Sequence, residues 1–165
     1  MKDMDIQKAK EFIKEKHANQ KRKHGTPYYL HPLAVAELLK EYGFSAEYQI
    51  VGLFHDLIED TDVTKQNIEE ITNSEIATAV HLLSKEDGYK MDEYINRIAK
   101  NEMAKMVKIA DRIHNLSEAN LASIDFQKRY IEETRNWYLD LAKNTCFEKL
   151  LNDILEKLEN NVKIN

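Results

Sequence analysis

The sequence predicts an all-α fold, and three observations carry that expectation. Glycine and proline are scarce, with four and two among 165 residues, whereas sheet-rich folds need turn residues far more often. Apolar residues recur at three- and four-residue spacing along most of the chain, which is the period of an amphipathic helix. Nowhere is the alternating pattern of a half-buried strand sustained. A chain 42% apolar and 32% charged fits one helical domain over residues 1–165, burying roughly two-thirds of its unfolded surface.

Each helix has a local reason. From residue 4 to about 19, Ile6, Ala9, Phe12 and Ile13 form one apolar stripe. A basic run follows, Lys21-Arg22-Lys23-His24, and Gly25-Thr26-Pro27 stops the helix. A second helix begins at His31-Pro32, where proline suits the first turn, and ends before Gly43. Ser45 is the N-cap expected for a third helix, running to about residue 59. Ile50, Val51, Leu53, Phe54, Leu57 and Ile58 make that helix apolar nearly all round, so it is expected at the centre of the fold. Thr64 and Asn73 or Ser74 open short helices through Ile71 and Leu83, and residues 84–88 read as a surface loop. Further helices are expected over 91–100, 102–116, 123–143 and 147–158.

The bulk numbers restrict function. A net charge of −5 gives no basic field for nucleic acid. One cysteine, Cys146, fits a reducing compartment and is expected to be inert. The N-terminus MKDMDIQKAKEF has no apolar core of signal-peptide length, and no stretch approaches the ~20 apolar residues of a membrane span. A cytoplasmic protein with neither nucleic-acid nor membrane partner is the expectation.

Chemistry concentrates in three strings. His55-Asp56-Leu57-Ile58-Glu59-Asp60 follows the most apolar helix. One turn separates His55 from Glu59 and Asp56 from Asp60, so a continuous helix puts each pair on one face. Carboxylates so crowded repel one another unless a cation or basic groups lie among them. In Val107-Lys108-Ile109-Ala110-Asp111-Arg112-Ile113-His114-Asn115-Leu116, Asp111 and Asn115 share a face. The third string, Tyr28-Tyr29-Leu30-His31-Pro32, fixes His31 at a helix start. A lone His-Asp pair is more often a simple N–H to carboxylate contact. Together, however, His31, His55, Asp56 and Asp111 form a mixed imidazole–carboxylate set that suits a divalent ion such as Mn²⁺, with Fe²⁺ or Zn²⁺ as alternatives.

The series GTPYYLHP, FHDLIEDTD and VKIADRIHNL resembles the hydrolase domain of RelA/SpoT-type alarmone enzymes and the free-standing small alarmone hydrolases, members of the HD superfamily. The similarity runs from about Ala9 to Ala142, with a weaker echo in Glu133-Thr134 through Tyr138-Leu139-Asp140-Leu141-Ala142. The resemblance implies a helical HD-domain bundle with His31, His55, Asp56 and Asp111 as manganese ligands. It implies that Glu59 and Asp60 place and activate the attacking water. Arg22 and Lys23 are implied as contacts to substrate phosphates, and Asn115 as a nucleotide contact. The implied reaction releases pyrophosphate from the 3′ position of (p)ppGpp. Leu116-Ser117-Glu118 departs from the pattern, since Glu118 adds negative charge beside a polyanionic substrate.

Other residues are assigned more plainly. His17, His24 and His81 are read as surface or packing residues, and His114 as no ligand. Lys108 and Arg112 flank Asp111 and are read as further phosphate contacts or surface cations. Tyr28 and Tyr29 suit a core edge or a stacked base. Trp137 and Tyr138 suit core or dimer contacts, so a homo-oligomer stays open. Two functional alternatives also stay open: an HD phosphohydrolase for another nucleotide, and a nucleotide-binding sensor without catalysis.

Overall fold

The computed structural model describes residues 4–164, and among them the regular structure is helical apart from one isolated antiparallel bridge between Lys21 and Pro27. By its internal contacts the chain falls into two compact units, Met1–Lys108 and Ile109–Asn165.

In the first unit, α1 (Ile6–Lys16) is capped by Asp5, whose carboxylate accepts the Lys8 N–H at 2.8 Å. Its apolar stripe buries Ala9 and Ile13. The helix ends three residues short of the expected boundary, where His17 takes the C-cap. The loop that follows turns at Gly25, whose φ of +96° a side chain would resist. α2 (Leu30–Glu41) carries Pro32 in its first turn and buries His31, Val35, Ala36 and Leu39.

α3 (Ala46–Phe54) packs against α1, α2 and, further along the chain, α6 (Ser74–Leu83). It is the centre of this unit, as its all-round apolarity predicted. Ser45 occupies the N-cap position with extended backbone but makes no side-chain cap bond. Gly52 lets α2 approach closely. A Cβ there would meet Leu39 Cδ1 at 2.9 Å, Val35 Cγ1 at 3.4 Å and the Ala36 Cα at 3.5 Å. Gly52→Ala therefore sets a helix-propensity gain of about 1 kcal/mol against overpacking of about 1–3 kcal/mol. With Leu39 and Val35 fully buried, overpacking prevails, and a urea titration should show a net loss of about 1 kcal/mol.

The third helix does not continue to Glu59. It stops at Phe54, His55 and Asp56 form a turn, and the four-residue α4 (Leu57–Asp60) follows. The reason is local: the His55 ring takes the Gly52 carbonyl at 2.6 Å, an acceptor that an unbroken helix would offer to the Asp56 N–H. α5 (Lys65–Ile71) opens with a Thr64/Asn67 capping box, and Asn73 caps α6 through the Ile76 N–H at 2.8 Å. α7 (Met91–Ala99) precedes α8 (Glu102–Glu118), which runs one half-turn beyond its expected end.

The second unit takes the latter part of α8, a short 3₁₀ turn at Ala119–Leu121, and α9 (Ile124–Glu133), capped by Ser123. The single helix expected over 123–143 is interrupted by a π-helical turn, Thr134–Tyr138, before α10 (Leu139–Ala142). There the Leu139 N–H reaches back five residues to the Thr134 carbonyl. Arg112 packs against this segment. Its guanidinium lies 3.9 Å from the ring centroids of both Tyr130 and Tyr138, and reaches Thr134 Oγ1 at 3.4 Å and Glu133 Oε1 at 2.5 Å. These side chains stand three and four residues apart along the chain and so share one face toward the cation. Burial works against the charge of Arg112, but the two tyrosines and Glu133 outweigh it and hold its pKa above the ordinary value. Arg112 is thus a buried structural cation, not a surface one. α11 (Glu148–Ile164) extends past the expected residue 158 and packs on α9, burying Leu151, Leu155 and Leu158.

Candidate active site

The site in the first unit is built from three short segments: the loop before α2 with the first turn of that helix, the His55–Asp56 turn with α4, and the loop after α6. His31 and His55 are 2% and 3% exposed, with their rings edge to face at 5.2 Å. The turn places Asp56 so that its Oδ2 lies 3.0 Å from His55 Nε2. Tautomer logic gives this contact its meaning. The Gly52 carbonyl only accepts, so His55 Nδ1 carries the proton of that 2.6 Å bond. In the neutral ring Nε2 is then a lone pair facing a carboxylate oxygen. Two acceptors at that distance call for a positive species between them, and an imidazole oriented through Nδ1 by a backbone carbonyl is the usual geometry of a metal-ligating histidine. The donor set fits a divalent ion.

α4 adds the acidic pair. One oxygen from each of Asp56, Glu59 and Asp60 lies within 4.8 Å of the others. They stay together past the break because the Asp60 N–H still bonds the Asp56 carbonyl at 2.9 Å. The cluster is felt electrostatically. Burial, reinforced by Asp56 and Glu59, pushes the Asp60 carboxyl up to about 6.

A single turn of helix is marginal by itself, and each acid is tied to a distant segment. The Tyr28 hydroxyl donates to Asp56 Oδ2 and also touches the Asp60 carboxyl. The Lys85 N–H donates to Glu59 Oε1 at 2.7 Å. Gln20 Nε2 donates to the Asp60 carbonyl at 2.9 Å. Thr61 closes the turn, its hydroxyl on the Leu57 carbonyl at 2.6 Å. Sequence reading did not single out Gln20 or Lys85, and gave Tyr28 no acidic partner. Their partners lie 40, 26 and 28 residues away, beyond any spacing rule.

The remaining expected residues are placed as follows. Arg22 and Lys23 sit on the loop before α2, where the Arg22 N–H bonds the Thr26 carbonyl at 2.8 Å; Arg22 is half-buried and Lys23 exposed. In the second unit, Asp111 is buried on α8, and its Oδ1 accepts from Asn115 Nδ2 at 3.2 Å. Glu118 lies 3.5 Å from His114 Nε2, so a cation can offset its charge when His114 is protonated. Lys108 is buried over the Tyr94 ring at 5.6 Å. Of the other histidines, His24 and His81 are exposed, as expected, whereas His17 is fully buried. Tyr138 is a core residue of the second unit.

A family model described as the HD domain matches residues 9–145. The chain belongs to the HD-domain family. It is similar to a guanosine-3′,5′-bis(diphosphate) 3′-pyrophosphohydrolase of Aquifex aeolicus, 34% identical over 91% of this chain and 23% of that protein. It also resembles a GTP pyrophosphokinase of Brucella ovis, 32% identical over 93% of this chain and 22% of that protein. This HD-domain chain therefore spans about a quarter of the length of the relatives it matches. Among solved structures, one described as a metazoan ortholog of SpoT that hydrolyses ppGpp superimposes with a TM-score of 0.81 at 21% identity, covering 92% of this chain and 94% of that one. That likeness establishes the helical HD fold. No helix among the described residues is long and apolar enough to cross a membrane.

Proposed function

We propose that this HD-domain chain is a metal-dependent phosphohydrolase that removes pyrophosphate from the 3′ position of guanosine polyphosphates, yielding GDP from ppGpp and GTP from pppGpp. The observation that carries the reading is the His55–Asp56 contact, in which the Nε2 nitrogen and a carboxylate oxygen face each other at 3.0 Å beside an acidic turn. His31, His55, Asp56 and Asp111 would hold the ion, and their mixed hardness favours Mn²⁺. When bound, such an ion supplies a water acidified toward neutral pH and positive charge for a phosphoryl oxygen.

The chain's own residues do the rest. Glu59 and Asp60 orient the water and take its proton, with Glu59 kept in place by the Lys85 N–H. Oxygen adds to the phosphorus that carries O3′, the P–O3′ bond breaks, pyrophosphate departs, and the proton passes to the ribose hydroxyl. Arg22 and Lys23 bind the substrate phosphates and offset charge developing on them, each charged hydrogen bond contributing roughly 1.5–3 kcal/mol. Asn115 contacts the nucleotide. The lone cysteine, Cys146, is exposed, which fits a reducing cytoplasm.

Glu59→Gln keeps an acceptor for the Lys85 N–H and removes the charge. The expected result is unchanged Mn²⁺ affinity with kcat lower by roughly 10²–10⁴-fold. Full turnover in that variant contradicts the role given to Glu59. The substrate class is tested with a panel under one set of Mn²⁺ conditions: ppGpp, pppGpp, nucleoside monophosphates and a 2′-phosphorylated dinucleotide. The highest kcat/KM is expected on the guanosine polyphosphates. Preference for another member moves the substrate assignment, and binding of ppGpp without turnover of any member favours a sensor.

A further inference from the structure

His17 belongs to no ligand set, yet it is fully buried at the end of α1. Its ring stacks obliquely on Tyr28 with centroids 5.0 Å apart. Its Nδ1 lies 2.9 Å from Gln20 Oε1, and its Nε2 is buried with no hydrogen-bond partner among the described residues.

The protonation of this chain of groups follows from one end. The Asp60 carbonyl can only accept, so Gln20 must present its NH₂ there, as the 2.9 Å contact has it. That choice turns Oε1 toward His17. Oε1 can only accept as well, so His17 must carry its proton on Nδ1. The opposite tautomer would set a lone pair against Oε1 and leave a buried N–H without an acceptor. Burial lowers the pKa of His17, which keeps the ring neutral. Gln20 is also fixed through its backbone, since its carbonyl accepts the Tyr28 N–H at 2.9 Å. The same tyrosine donates to Asp56.

We propose that His17 and Gln20 are positioning residues for the reaction: His17 sets the orientation of the Gln20 amide, and Gln20 holds the Asp60 carbonyl. The carbonyl of Asp60 is an end group of a one-turn helix, without a partner from the helix itself. Gln20 supplies that partner and fixes the backbone from which the Asp60 carboxyl projects. The inference rests on the hydrolase reading above, because it assigns the pair to a step in which Asp60 acts on water.

The test uses the full chain in four variants: Gln20→Leu, His17→Phe, His17→Asn and the Gln20→Leu/His17→Phe double variant. Asparagine can place its side-chain amide near the position of Nδ1, so His17→Asn serves as the conservative rescue. kcat and KM are measured on the nucleotide that the substrate panel identifies, Mn²⁺ affinity by electron paramagnetic resonance, and the His17 tautomer by long-range ¹H–¹⁵N correlation. Gln20→Leu and His17→Phe are expected to lower kcat roughly 10–100-fold, with Mn²⁺ affinity and KM within about threefold. The double variant should fall no further than Gln20→Leu, because both changes cut one chain. His17→Asn should regain most of the rate, and wild-type His17 should show a protonated Nδ1.

Wild-type kcat in folded Gln20→Leu overturns the inference, as does an Nε2-protonated His17. A fall in Mn²⁺ affinity parallel to the fall in kcat also overturns it, since the pair would then be a structural support of the metal centre. Failure of wild-type protein to hydrolyse ppGpp overturns the substrate assignment instead, and the same variants are then read on the nucleotide that is turned over.

Discussion

Asp111→Ala is expected to lose Mn²⁺ binding and turnover together. Asp111 is buried on α8, and its Oδ1 receives the Asn115 amide at 3.2 Å, which orients the carboxylate. As a proposed ligand it brings negative charge to a set whose other members are two imidazoles and Asp56. Removing it should weaken Mn²⁺ affinity by at least 10²-fold and lower turnover roughly 10³-fold, about 4 kcal/mol of transition-state stabilisation. Parallel loss is the diagnostic feature, and it separates a ligand from Glu59, whose replacement should lower turnover alone. Helical content by circular dichroism should stay at the wild-type level. An Asp111→Ala protein that binds Mn²⁺ normally contradicts the assignment.

Arg112→Leu should cost the largest amount of stability of any single change considered. The guanidinium is 3% exposed, sandwiched between Tyr130 and Tyr138, and paired with Glu133, which is 43% exposed. Breaking a fully buried pair costs about 3–5 kcal/mol. Glu133 can return to water, which reduces that figure, while the loss of two desolvated cation–π contacts raises it again. A net loss of about 3 kcal/mol is expected in urea denaturation of metal-free protein. Arg112→Lys should recover little, because an ammonium cannot lie flat between two rings while donating to Thr134 and Glu133. A loss below about 1 kcal/mol would mean that the sandwich is incidental.

Much of this was legible in the sequence, and the rest fails for physical reasons. Periodicity located the helices because core burial imposes it, and Thr64 and Asn73 mark helix starts because side-chain caps are local. The two interruptions were not legible. The break at His55–Asp56 depends on a ring taking the Gly52 carbonyl, and the π turn at Thr134–Tyr138 packs against Arg112 of α8. Both involve tertiary or side-chain contacts that leave hydrophobic spacing unchanged.

The same division holds at the site. His31, His55 and Asp56 stand out as polar residues in apolar surroundings. Glu59 and Asp60 stand out as crowded acids. The groups that orient those acids do not stand out, because Gln20 and Lys85 resemble ordinary surface residues until the fold places them. His17 was assigned to surface or packing; the structure packs it fully buried, with Nδ1 2.9 Å from Gln20 Oε1. Glu118, the departure from the pattern, has His114 one turn earlier, 3.5 Å away.

The measurement that bears most directly on the account is product analysis of ppGpp incubated with chelator-treated protein, before and after Mn²⁺ is restored. Pyrophosphate and GDP released in equal amounts, only after Mn²⁺ is returned, is the predicted result. Metal-loaded protein that leaves ppGpp intact, or releases inorganic phosphate in place of pyrophosphate, would contradict it.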